Sequence, residues 1–163
     1  MNPSNFPNNP LNPSAPEKER GPGFEWRSPH TLYGWPLIHI AFGKDAKGKL
    51  RIAKGWIAIG QFAIGMITLA QFGVGILFGF GQFIIGLSAI AQFAFAFFLG
   101  IGQFATGYYA IGQLVLAHYG IAQTGFATYF WGPHRKDPEA REAFLHLAKQ
   151  FGLSIEPWFP VKR

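Results

Sequence analysis

The sequence has no cysteine, and it has no charged side chain between Gly55 and His134. Without cysteine the chain forms neither disulfides nor thiolate zinc sites, so backbone pairing and packing must hold the fold together. The remaining charges lie in the two flanks of the chain, where Lys and Arg mix with Asp and Glu. The net charge of +6 therefore does not form the continuous basic stripe of a nucleic-acid groove, and we expect no nucleic-acid partner.

The residues of catalytic and metal sites are few and scattered. The five His residues share no ligand spacing, and Ser88 has no acid or base beside it. A metal ion needs several converging ligands, and a hydroxyl nucleophile needs a neighbouring base. We therefore expect a protein that is not an enzyme, with no catalytic residue, no metal site and no cofactor. His39 is predicted to satisfy a backbone group.

One short segment imitates a phosphate-binding loop. Residues 43–49, GKDAKGK, match the pattern Gly-x4-Gly-Lys. The next residue is Leu50, where a phosphate loop needs a hydroxyl for magnesium, and no helix-forming segment follows. The pattern therefore predicts a charged hairpin loop.

Composition divides the chain into four segments. Residues 1–23 are rich in Asn and Pro and poor in apolar groups, which predicts a disordered tail without a signal peptide. Residues 24–54 alternate apolar and polar side chains around a polar loop, which predicts a β cap of two strands joined by a turn. Residues 55–132 form an uncharged apolar repeat, and residues 133–163 a C-terminal helical cap and tail. We expect a cytoplasmic or membrane-associated location.

A glutamine recurs every 10 or 11 residues through the uncharged segment. The chain there divides into five-residue units that begin with Gly or Ala, with one extra residue at 78–79 and again at 99–100. The extra residues are 21 positions apart, so the larger unit is four five-residue units plus one residue. Such regularity indicates a repeat architecture. The glutamines are predicted to form ladders that fix the register: Gln61, Gln82, Gln103 and Gln123, and, half a larger unit away, Gln71, Gln92 and Gln113.

Two architectures compete for this segment. Its length suits about three membrane-spanning helices of about 20 residues each. On a helix, however, successive five-residue units start about 140° apart, so no face becomes small or polar. In a β-solenoid, by contrast, equivalent residues stack at a spacing of about 4.8 Å and glutamines can bond along the stack. We therefore expect an all-β fold: a right-handed parallel β-solenoid of about four coils of about 20–21 residues each, with an N-terminal strand cap and a C-terminal capping α-helix.

The repeat resembles two groups of proteins. Its pattern of a small residue, then a bulky one two positions later, is distantly similar to the pentapeptide-repeat β-solenoids, although that family places polar residues on its outer positions. A closer resemblance is to uncharacterised bacterial proteins with a leader like 34–43, GWPLIHIAFG, followed by Ala-Ile-Gly-x repeats, as at 58–61 and 110–113. The resemblance implies a fold, and no activity comes with it.

In the pentapeptide register a stack of aromatic residues fills the core: Phe62, Phe72, Phe83, Phe93 and Phe104. The glutamines and a set of aliphatic residues then point outward as a candidate contact surface: Ile64, Val74, Ile85, Ile90, Ile111 and Ile121. The opposite parity buries the isoleucines and exposes flat strips of Ala and Gly. The sequence leaves both parities open.

The C-terminal segment carries clear helix signals. Asp137, Pro138 and Glu139 favour a helix start, and Gly152 favours its end. The apolar stripe between them predicts an amphipathic helix over 138–151 that closes the last coil. The predicted stripe is Ala140, Phe144, Leu147, Ala148 and Phe151.

A solenoid of this composition leaves its outer walls apolar and uncharged. Monomeric proteins rarely expose apolar patches larger than a few hundred Å², so another surface should cover these walls. We expect a structural or assembly protein that associates with itself, as an oligomer or filament, or with another apolar protein surface. The alternative is a membrane-embedded protein, built from helical spans or as a lipid-facing solenoid.

Overall fold

A computed structural model describes residues 22–156 and Phe159. The predicted Asn/Pro-rich tail, 1–23, lies outside the described residues except for its last two. Most described residues are extended, and one helix follows them, so the predicted all-β class with a C-terminal helix is confirmed. The elements are β1 Phe24–Arg27, β2 Thr31–Leu32, β3 Trp35–Pro36, β4 Ile38–Phe42, β5 Ile52–Trp131 and α1 Pro138–Gln150.

The strands before residue 52 form one end of a sheet of order β1-β4-β5. β1 is antiparallel to β4, with Phe24 opposite Phe42, and β4 is parallel to the start of β5, with Ile38 opposite Ile57. The sequence predicted two strands joined by a turn. The strands on either side of the polar loop are instead parallel neighbours, and β1 supplies the antiparallel partner.

The polar loop between β4 and β5 is a hairpin, as predicted. Lys44 and Leu50 form an antiparallel bridge across it. Asp45 Oδ1 accepts hydrogen bonds from the backbone N–H groups of Lys47 at 2.8 Å and Lys49 at 2.9 Å. These are the groups that would hold a phosphate in a phosphate loop, so the loop's own carboxylate occupies them.

β5 is an extended segment of 80 residues that folds back on itself. A straight strand of that length would reach about 260 Å. Instead, residues 10 or 11 positions apart are neighbours: the Thr106 hydroxyl donates to the Ala96 carbonyl at 3.2 Å, and the rings of Phe62 and Phe72 stack 5.5 Å apart. The chain thus returns after two five-residue units, and we call each return a level. The predicted return after 20–21 residues is wrong.

The interior of β5 is a single column of residues five positions apart, one from each five-residue unit. Its members are buried or nearly so. The step lengthens to six residues at Gly79 and at Gly100, where the sequence predicted the extra residues. The column is Ala53, Ala58, Ala63, Thr68, Gly73, Gly79, Ile84, Ala89, Ala94, Gly100, Ala105, Ala110, Val115, Gly120, Gly125 and Phe130.

The large members of this interior column face glycines. A Cβ built on Gly73 would lie 2.6 Å from Thr68 Cγ2, and one on Gly120 would lie 2.9 Å from Val115 Cγ2. A Cβ on Gly79 would collide with Ile84 Cγ2 in the same way. The two halves of each level therefore lie so close that a side chain on one requires its absence on the other.

The Gly or Ala that begins each five-residue unit has a separate role. A Cβ built on Gly65 would lie 2.5 Å from the carbonyl oxygen of Gly55, one level earlier. Close approach between successive levels therefore demands a small residue here, which is why larger residues do not occur at this position.

The last level ends in a turn that covers its edge. Residues 132–137 fold back, and Trp131 pairs with Lys136 in an antiparallel bridge. The Arg135 guanidinium donates to the Thr128 carbonyl at 2.7 Å, and Asp137 Oδ2 accepts the backbone N–H of Phe130 at 2.8 Å. These contacts satisfy groups that an open strand edge would expose.

α1 ends one residue before the predicted boundary and packs on β5. Ala140, Phe144, Leu147 and Ala148 are buried as predicted, whereas Phe151 is exposed and does not belong to the stripe. Phe144 meets the ring of Tyr109 edge-on at 5.4 Å. Because Tyr109 lies two levels before the last, the helix lies against the side of β5, where the sequence predicted only closure of the end.

The predicted helical spans are wrong, because the uncharged segment is extended throughout. Within the described residues, no helix has both the length and the apolar character needed to cross a membrane.

Candidate interaction surface

The five phenylalanines predicted for the core form a continuous column on the outside of β5. Their ring centroids are separated by 5.5, 6.2, 6.5 and 6.4 Å from Phe62 to Phe104. The prediction that they stack is confirmed, and the prediction that they fill the core is wrong, because Phe72 and Phe93 are 46% and 47% exposed. We call this the phenylalanine column, and the part of β5 that carries it the phenylalanine side.

Neither predicted parity describes the interior. The pentapeptide register assumes a coil wide enough to hold an aromatic ring, but a level of 10 or 11 residues brings its two halves into contact through Ala and Gly. A phenylalanine ring has no space there. The fourth residue of each unit therefore points inward, and the third and fifth point outward.

The seven predicted glutamines lie one per level on the phenylalanine side. All except Gln61 are exposed. Gln61 Oε1 accepts a weak bond from the Gly43 N–H at 3.4 Å. Across the part of the chain that the structure describes, no glutamine side chain bonds to another, so the predicted hydrogen-bonded ladders are not formed.

The six aliphatic residues predicted as one contact surface divide between two sides. Ile64, Val74 and Ile85 line a shallow groove of about 300 Å³ beside the phenylalanine column. The other three are Ile90, Ile111 and Ile121, which are offset by about half a level. Because residues half a level apart face each other across the interior, these three belong to the opposite side.

That opposite side carries a second aromatic column, near the C-terminal end of β5. Tyr109, Tyr119 and Tyr129 stack at 5.4 and 5.3 Å, and His118 stacks on Tyr108 at 4.9 Å. We call Tyr109, Tyr119 and Tyr129 the tyrosine column, and this part of β5 the tyrosine side.

Both sides of β5 expose large apolar side chains without a charge among them. We call this whole outer surface the wall. On the phenylalanine side the exposed members include Phe72, Val74, Ile85, Phe93, Leu114, Leu116 and Phe126. On the tyrosine side they include Ile67, Leu69, Ile76, Leu77, Leu87, Ile90, Phe97 and Phe98. An apolar surface of this extent is the feature that most needs a functional explanation.

The N-terminal end of the molecule has the opposite chemistry, a cluster of paired charges. Glu25 on β1 forms ion pairs with Arg27 at 2.5 Å and with the buried guanidinium of Arg51. His39 on β4 is 2% exposed and bonds to the same carboxylate at 3.2 Å. The cluster therefore ties together β1, β4 and the residue that precedes β5.

Hydrogen bonds fix the orientation of the His39 ring. Nδ1 accepts the backbone N–H of Lys54 at 2.7 Å, so Nε2 carries the proton and donates it to Glu25. The predicted bond of His39 to a backbone group is confirmed. The hydrogen bonds from His39 and then Arg27 lower the pKa of Glu25 from 4.5 to about 2, against the opposing effect of burial.

An open cleft of about 610 Å³ lies beside this cluster. Its lining includes Arg27, Trp35, His39, Ile52 and Lys54. The sequence analysis did not identify the cluster, because its residues lie up to 26 positions apart and only strand pairing brings them together. An isolated acid at residue 25, among bases, was the one available signal.

Comparison with known proteins finds no match for this chain among protein-family models, curated proteins or solved structures. The resemblances in the repeat therefore stay predictions that rest on the residues alone.

Proposed function

We propose that this chain is a non-enzymatic structural protein, built as a narrow β-solenoid with two five-residue units per coil, that works by burying its wall against an apolar surface from outside the chain. The observation that supports this most directly is that both sides of β5 are apolar and uncharged over 80 residues. The right-handed coil direction remains a prediction.

The solenoid architecture is supported by three sets of contacts. Side chains stack with partners 10 or 11 residues away, small residues recur where successive levels touch, and interior residues recur every five positions. In such a fold each coil satisfies the backbone groups of its neighbours, so stability comes from the repeat itself.

The energetics favour a covered wall. Burial of about 400 Å² of apolar surface yields roughly 10 kcal/mol before the costs of association. The wall can be covered by a second copy, which would give an oligomer or filament, by another apolar protein, or by lipid.

Charge placed in the wall tests this proposal. The double variant Phe72→Lys, Phe93→Lys puts two cations into exposed positions of the phenylalanine column. The matched control, Phe72→Leu, Phe93→Leu, keeps the wall apolar with the same two sites changed. We expect wild type and control to need detergent or to sediment as oligomers, and the lysine variant to run as a monomer with an unchanged circular dichroism spectrum. A wild-type protein that is a stable monomer in plain buffer would overturn the proposal.

A further inference from the structure

We propose that lipid covers the wall: the solenoid stands across a bilayer, with its axis along the membrane normal and its two charged ends in the two headgroup layers. This inference rests on the proposed function and names its partner. It is carried by the distribution of apolar, aromatic and charged residues along the axis.

The wall is apolar on every side, which suits lipid better than a protein partner. A dimer formed through the phenylalanine column would still expose Phe97 and Ile76 on the tyrosine side, which are 77% and 49% exposed. Acyl chains cover the whole circumference at once. In a solenoid the backbone groups are already paired between levels, which is the condition for a segment to lie in hydrocarbon.

The height of the stack matches a bilayer. The interior column has two members per level and sixteen in all, which gives eight levels. At about 4.8 Å per level the eight levels rise about 34 Å, against a hydrocarbon core of about 30 Å. A solution assembly has no reason to stop at this height.

Amphipathic aromatic residues mark both ends and avoid the middle. Neither Trp nor Tyr occurs from residue 57 to residue 107, where all aromatic residues are Phe. Trp56 lies in the first level, with its Nε1 bonded to the Leu32 carbonyl at 2.9 Å and Tyr33 nearby at 6.5 Å. The tyrosine column and Trp131 lie in the last three levels. Trp and Tyr prefer the membrane–water interface, so this pattern forms two interfacial belts.

Charge follows the same division. Residues 24–54 carry six cationic and two acidic side chains, and residues 132–163 carry six and four, whereas the stack between them carries none. Both ends are therefore suited to anionic headgroups. The glutamines are the polar exception in the wall, and their spacing of about 4.8 Å allows amides to bond along the column once water is excluded.

The absence of cysteine makes a depth measurement direct. Single substitutions along the phenylalanine column sample levels one, three, five and seven: Ile52→Cys, Phe72→Cys, Phe93→Cys and Leu114→Cys. Each position is exposed, so the label does not disturb the interior. Each variant carries an environment-sensitive fluorophore in phosphatidylcholine–phosphatidylglycerol vesicles with quenching nitroxides at shallow or deep acyl positions. Ala46→Cys, in the β4–β5 loop, is the matched control outside the membrane.

We expect deep quenching to be greatest at residue 93, smaller at 72 and 114, and least at 52, with none at 46. The unmodified chain provides a second readout, because all five tryptophans lie outside residues 57–130 and should respond to shallow quenchers only. Equal, shallow quenching at all four levels would overturn the spanning orientation.

Two further outcomes separate this inference from the proposed function. If no lipid quenches any site, but the protein forms oligomers whose residues 72 and 93 cross-link between copies, the bilayer inference fails and the structural function stands. If the protein is instead a monomer in buffer with all four labels in water, both fail.

Discussion

The parts of the molecule before and after Ile52 are stabilised by opposite means. Before it, a buried carboxylate holds Arg27, His39 and Arg51 by charge and hydrogen bonds. After it, 80 residues pack through Ala and Gly without a single charge. The difference teaches that specific polar contacts are needed where the chain is aperiodic. Where the chain repeats, close packing alone sets the register.

The largest effect should come from the interior of β5. Ile84→Ala removes the largest fully buried side chain and should lower the free energy of unfolding by about 2–5 kcal/mol. Ile85→Ala, the exposed neighbour of the same type, is the matched control and should cost far less. Denaturant unfolding followed by circular dichroism gives both values. Equal losses at the two positions would contradict the assigned interior.

The glycine opposite Ile84 sharpens the same test. Gly79→Ala alone should cost about 1–3 kcal/mol, because its Cβ meets Ile84 Cγ2. In the double variant each change relieves the other, so we expect a coupling free energy of about 1 kcal/mol or more. Strictly additive losses would mean that the two residues do not face each other.

The five-residue spacing was predictable because it is written in the sequence, and the structure keeps it even at the extra residues near Gly79 and Gly100. The size of the level was not predicted. Four units or two units per coil give the same sequence period, and the choice depends on how closely the two halves approach. Ala and Gly at the fourth position allow the closer approach, which is why the phenylalanines lie outside.

The helix was predictable for a different reason: its start and stop signals are local. Asp137 is the exception, since its carboxylate bonds to the Phe130 backbone of β5 and makes no side-chain bond to the helix. The charged cluster was not predictable, because Glu25 and Arg51 meet only through long-range strand pairing.

At the N-terminal end the intermediate effect should be a pH dependence. The pKa of Glu25 is lowered to about 2 in the fold, so its contribution is complete above pH 4.5 and is lost as the pH falls towards 2. We expect unfolding free energy to fall by about 1–2 kcal/mol across that window, after allowance for solvent screening. Thermal unfolding at several pH values measures this. Glu25→Gln should remove the dependence, and an unchanged profile in that variant would show that another group titrates.

The smallest effect should come from the glutamines, although their recurrence is the most regular feature of the sequence. Gln82 is exposed, and its amide bonds to no other glutamine, so Gln82→Leu should change the free energy of unfolding by no more than about 0.5 kcal/mol. Denaturant unfolding of this variant beside Gln103→Leu, its equivalent two levels later, gives the comparison. A loss above about 2 kcal/mol in both would reveal a hydrogen-bonded ladder and make the stack as dependent on polar contacts as the N-terminal end.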